Sequence, residues 1–85
     1  MSADVTAISA HADTLHADAC ALAACAERLR AVEAALEAGG AAPAWLRASV
    51  EYHVGACASA AADLETASRR LRRWADQASP PARSG

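Results

Sequence analysis

The chain has no phenylalanine and no lysine, and aromatic residues make up only 4% of its 85 residues. About a third of the residues are alanine, which favours helices but buries little apolar area per residue. A chain of this length forms one domain at most, so we expect a thin core. The net charge of -2 argues against a nucleic-acid-binding protein with a wide basic face.

Long apolar runs are also missing. No segment reaches the roughly 18 uncharged apolar residues of a membrane span, and the first residues lack the basic and apolar blocks of a signal peptide. We therefore expect no transmembrane segment. The predicted location is the cytoplasm, with any export following a leaderless route.

No pattern in the sequence predicts an enzyme or a cofactor site. The serines within the predicted helices have no strained turn around them and no identifiable base. Gly39 and Gly40 end a helix instead of opening one, so they do not form a phosphate-binding loop. We predict a non-enzymatic protein with no catalytic residues and no cofactor.

Apolar residues repeat every seven positions in both halves of the chain. The first half carries Ile8, Leu15, Leu22, Leu29 and Leu36, interleaved by Val5, Ala12, Ala19 and Ala26. The second half carries Val50, Cys57, Leu64, Leu71 and Ala78, interleaved by Leu46, Ala60, Ala67 and Trp74. Two such stripes predict two long helices packed along an apolar seam.

A Gly/Pro segment at 39–43 separates the two stripes. We predict one domain with a first helix over about 5–38 and a second over about 43–78, followed by a disordered tail over 79–85. Gly39 is expected to end the first helix in the left-handed conformation. Because the loop is short, the helices must be antiparallel. The predicted fold is an all-α hairpin, which assembles into a four-helix bundle on dimerisation.

A bend near residue 41 predicts that facing residues have numbers summing to about 83. Acidic residues early in the first helix then lie beside a basic cluster late in the second; the acids are Asp4, Asp13 and Asp18, and the cluster is Arg69, Arg70, Arg72 and Arg73. Neutralisation within the hairpin is the favoured interpretation of the basic cluster. Contact with an anionic partner is the alternative.

The three cysteines are too few for a disulfide scaffold. The predicted register puts Cys25 next to Cys57 across the seam, which permits a disulfide between them. The alternative is that both are small buried hydrophobes. Cys20 points to a different helix face from Cys25, so it is left as a free thiol or a link between two protomers.

His16 with Cys20, and His53 with Cys57, are spaced four residues apart, and such a pair can hold one metal ion between two side chains. The two pairs lie at different heights in the hairpin, about 9 Å apart. We therefore favour surface histidines and packed cysteines and predict no metal ligands, with a His/Cys metal-binding helical protein as an alternative function.

Trp45 stands at the start of the second helix. We favour a core anchor that pins the bend, with an exposed recognition residue as the alternative. An Ala-rich chain of under about 100 residues, with two long helices and a tryptophan at the bend, is similar to the small WXG-motif, ESX-like proteins of type VII secretion. The resemblance covers residues 5–78.

The bend motif of that family is Trp-x-Gly, and this chain has Trp45-Leu46-Arg47. The family's export signal places an acid four residues after an aromatic, whereas Ala56 follows Tyr52 and Ala78 follows Trp74 at that spacing. The resemblance implies a type VII secretion substrate or the partner of one that lacks the signal.

The predicted function is thus a protein–protein interaction module that binds another helical hairpin, either a second copy, a paralogue or the hairpin of an effector. The alternative is a cytoplasmic adaptor or chaperone hairpin, which would bind its partner by the same burial of apolar side chains. The predicted interface residues are Ile8, Leu15, Leu22, Leu29, Leu36, Trp45, Val50, Leu64, Leu71 and Trp74.

Overall fold

Within residues 2–78 the chain forms two antiparallel α-helices, α1 (Ser2–Gly39) and α2 (Ala44–Ala78). The computed structural model describes residues 2–78, with side chains from residue 4 onward. The helical hairpin predicted from the sequence is confirmed, and α1 begins three residues earlier than expected. The predicted tail over 79–85 lies outside the described residues. The molecule is a rod measuring 67 × 20 × 14 Å, so its thickness is that of a single layer of helices.

The bend is made by Gly40, which has a positive φ of 69°. Its amide donates to the carbonyl of Leu36 over 3.1 Å, the single bond typical of a left-handed helix end. The prediction that Gly39 takes this conformation is wrong by one residue, because Gly39 is still helical. The carbonyl of Pro43 accepts from the amides of Leu46 and Arg47 at 3.1 and 3.2 Å, which starts α2.

The seam between the helices consists of very small residues. The buried apolar residues are alanines, with exposed fractions from 0% to 5%; they are Ala12, Ala19, Ala26 and Ala75. Ser68, exposed by 1%, donates from Oγ to the carbonyl of Ala12 over 2.7 Å. A hydroxyl can reach the backbone of the other helix in this way only where the two helices approach closely. The hairpin is therefore held by close contact of small side chains and not by a core of large ones.

In the later part of α2, the interleaved positions predicted at Ala67 and Trp74 are wrong by one residue. Ser68 and Ala75 are buried at the seam, whereas Trp74 is 53% exposed and Ala78 is exposed. In a seven-residue repeat, the interleaved residue can follow the main apolar position by either three or four residues, and the sequence alone did not decide between the two spacings. Packing decides between them, because a seam lined by methyl groups accepts alanine and serine and has no room for an indole.

Trp45 does not anchor the bend, contrary to the favoured interpretation. It is 71% exposed, as is Tyr52 seven residues later. Residues seven apart on a helix share a face, so both aromatic side chains lie on the outer line of α2, away from α1. The side chain that covers the bend from α2 is the half-buried Leu46.

Candidate functional site

One side of the hairpin is an apolar face of large side chains that α1 and α2 cover only in part. We define this apolar face by nine half-buried residues: Ile8, Leu15, Leu22, Leu29, Leu36, Val50, Cys57, Leu64 and Leu71. Six of them lie three or four residues from a buried alanine or serine of the seam, and so stand beside the seam and not within it; they are Ile8, Leu15, Leu22, Leu29, Leu64 and Leu71. The residues with the most apolar area are thus the ones that the hairpin leaves partly open to solvent.

An open groove of about 670 Å³ lies on the apolar face at the end opposite the bend. Leu15 and Leu71 are among the residues that line it, together with one acidic residue, Asp63, and one basic residue, Arg70. Val32 is 45% exposed, three residues after Leu29 and four before Leu36, and extends the apolar surface toward the bend. Apolar surface therefore runs along most of the rod.

The polar side of the hairpin lies opposite the apolar face. Arg72 donates to Asp13 over 2.8 Å between two exposed side chains, so one pair of the predicted charge map is present. An exposed pair of this kind contributes only about 0–1 kcal/mol. Asp18 lies on the other flank of α1. Within residues 4–78, Arg72 is the one member of the basic cluster in an ion pair.

A second polar contact on that side joins three residues. Nδ1 of His16 lies 2.6 Å from Oε1 of Glu65 on the facing helix, and Nε2 of the same ring lies 3.6 Å from Sγ of Cys20. With its hydrogen on Nδ1, the ring donates to Glu65 and accepts from the thiol. The Cys20 thiol is exposed. The three groups therefore stand in a line of thiol, imidazole and carboxylate.

The sequence interpretation found His16 and Cys20 but missed Glu65. A register sum of 83 pairs residue 16 with residue 67, whereas the contacts Ser68–Ala12 and His16–Glu65 have sums of 80 and 81. A search for acids within one helical turn of position 67 would have found Glu65. The signal was therefore present, but it needed the antiparallel register first.

Cys25 and Cys57 are neighbours across the seam, and both are free thiols. Burial raises the pKa of Cys57, and so does the neighbouring Cys25, whose sulfur accepts a hydrogen bond from the neutral Cys57 thiol; the reactive thiolate of Cys57 is therefore disfavoured. The disulfide between them stays a prediction, and the neighbouring positions are compatible with it.

The two His/Cys pairs do not come together as a metal site. Among the described residues, no group of three or more His, Cys, Asp or Glu side chains is arranged so that it could hold a metal ion. Both ring nitrogens of His16 already have protein partners. The ring of His53 instead meets Tyr52 edge to face, with centroids 5.4 Å apart.

Within residues 2–78, neither helix is long and apolar enough to cross a membrane. Comparison of the chain with protein-family models, curated proteins and solved structures finds no match. The resemblance to WXG-motif proteins thus stays a prediction that depends on the shape of the hairpin and its bend.

Proposed function

We propose that the protein is a non-enzymatic interaction module whose apolar face is covered by a second copy of the chain, giving a four-helix bundle. The observation that carries this proposal is that the hairpin buries its small apolar residues and leaves its large ones partly exposed. The fully buried apolar residues are alanines, whereas the large residues of the apolar face are only half covered. Covering those side chains with a second hairpin would supply the apolar burial that one hairpin lacks.

The exposed area supports the same conclusion. The chain exposes 5936 Å², whereas a compact monomer of its mass exposes about 4,700 Å². Its radius of gyration is 19.2 Å, compared with about 12 Å for a compact domain of this length. The excess area of about 1,200 Å² is larger than the roughly 800 Å² that each partner contributes to a stable interface.

A second copy is favoured because the surface suits a two-fold contact. Such a contact places the same patch on both partners, so the patch must complement itself. The groove is lined by both Asp63 and Arg70, which lie two helical turns apart along α2. An edge that carries both acidic and basic side chains can pair with the same edge of a second copy, whereas an edge with charges of only one sign would repel it.

Type VII secretion is the biological setting that we propose for this module, as a substrate or as its signal-less partner. Support comes from the hairpin shape and from Trp45, exposed at the bend, where the WXG-motif proteins carry their tryptophan. Purification of the chain after co-expression with the hairpins encoded beside its gene tests this setting. A mixed complex would replace the second copy by a paralogue, and a chain that binds none of them would favour the adaptor interpretation.

Sedimentation velocity of two charge variants tests the proposed interface. Leu22→Glu introduces a carboxylate on the apolar face, and Ala24→Glu introduces the same group two residues away at an exposed position. We expect the wild type and Ala24→Glu to sediment as dimers and Leu22→Glu to sediment as a monomer, with helical content followed by circular dichroism. Equal sedimentation of the two variants would contradict the proposed interface.

A further inference from the structure

The line of Cys20, His16 and Glu65 has the geometry of an activated thiol. Nε2 of the imidazole lies 3.6 Å from the Cys20 sulfur, and the Glu65 carboxylate lies 2.6 Å from Nδ1 on the far side of the same ring; with the hydrogen on Nδ1, the ring accepts from the thiol. A nucleophile beside a base that a third group orients is the arrangement by which proteins activate thiols and hydroxyls. Neither the proposed interface nor the packing of the seam uses these three side chains.

We propose that Cys20 is a modification site that exchanges with small-molecule disulfides, with His16 as its base and Glu65 as the residue that positions His16. The ligand class is a low-molecular-weight disulfide, R–S–S–R. The site needs no pocket for the R groups, because exchange takes place at the sulfur atoms.

The exchange balances without any other reagent. The Cys20 thiol gives its proton to Nε2 of His16, and its sulfur attacks one sulfur of R–S–S–R. The S–S bond of the reagent breaks as the new S–S bond to Cys20 forms, and the departing R–S⁻ takes the proton from His16. The products are a mixed disulfide on Cys20 and one R–SH, so the reagent is reduced as Cys20 is oxidised.

The geometry separates Cys20 from the other two cysteines. Cys20 is exposed, whereas Cys25 and Cys57 are half-buried. His53 precedes Cys57 by the same four residues that separate His16 from Cys20, but among the described residues only the His16–Cys20 pair is hydrogen-bonded. The site also lies on the polar side of the hairpin, so it stays accessible whether or not a second copy covers the apolar face.

The full chain treated with 4,4′-dithiodipyridine, with each modified cysteine identified by peptide mass, tests the proposal. We expect His16→Ala to slow modification of Cys20 by about a hundredfold, the lower end of general-base effects. Added imidazole should restore much of that rate at Cys20. The matched control His53→Ala should leave the rate at Cys57 unchanged.

The role of Glu65 is tested in two backgrounds. Glu65→Gln should slow the modification of Cys20 when His16 is present and should not change that rate in the His16→Ala chain. The reason is that a positioning residue acts only through the group it positions. If Glu65 contributed only to stability, Glu65→Gln would leave the rate of Cys20 modification unchanged in both backgrounds. The proposal is overturned if Cys20 reacts at the wild-type rate in His16→Ala, or if imidazole has no selective effect on it. Both results would leave the oligomeric state, and with it the proposed function, untouched.

Discussion

Ser68→Ala probes the seam, because Ser68 is buried and its hydroxyl joins the two helices through the Ala12 carbonyl. Removing a neutral hydrogen bond of this kind costs about 0.5–1.5 kcal/mol. The substitution also gains roughly 0.5 kcal/mol because alanine favours the helix more than serine does. The measured change therefore mixes two effects of opposite sign, and a control is needed to separate them.

Ser59→Ala is the matched control, since Ser59 is an exposed serine nine residues earlier in α2 and shows the propensity gain alone. Thermal unfolding followed by circular dichroism compares the two variants at one protein concentration, because an oligomer unfolds at a concentration-dependent temperature. We expect Ser68→Ala to melt roughly 4–8 °C below Ser59→Ala, as about 1 kcal/mol predicts for a domain of this size. Equal melting temperatures would refute the close approach of the helices at Ser68.

Three further predictions concern the bend, the apolar face and the cysteines. Gly40→Ala should lower stability by about 1–2 kcal/mol because of its positive φ, whereas Gly39→Ala should raise it by about 0.5–1 kcal/mol; urea unfolding compares them. Leu64→Asp should abolish folding or self-association because it buries a carboxylate without a partner, whereas Arg47→Ala should do neither; melting curves that coincide would contradict this. Oxidation should join Cys25 and Cys57 and raise the free energy of unfolding by roughly 3 kcal/mol. Peptide mapping without reduction should find this disulfide, and any other pairing would contradict the prediction.

The sequence predicted most of the fold because its seven-residue repeats are regular. In α1 both repeated positions were correct, since alanine and leucine differ enough in size to mark the seam and its edge. In the later part of α2 the interleaved position was misplaced, because Ala60 and Ala67 fit a spacing of three residues whereas Ala61 fits a spacing of four. Only the packing of Ser68 and Ala75 against α1 decides that choice, and packing is not a property of either helix alone.

The functional groups were predicted less completely than the fold. The pairing of Asp13 with Arg72 followed from charge and approximate register, since long side chains tolerate an error of several residues. The contact of His16 with Glu65 needs the register to within about half a helical turn. The exposure of Trp45 was missed because a tryptophan near a bend suits an anchor and an outer position equally well by sequence.

The mass of the full chain in solution tests the central claim most directly. Sedimentation equilibrium at micromolar concentration, with cysteines kept reduced, measures that mass without any substitution. We expect a dimer, twice the 8.7 kDa of the chain, whose dissociation on dilution is coupled to unfolding. A monomer of 8.7 kDa that unfolds cooperatively at the same concentration would contradict it, because the half-covered apolar face would then need no partner.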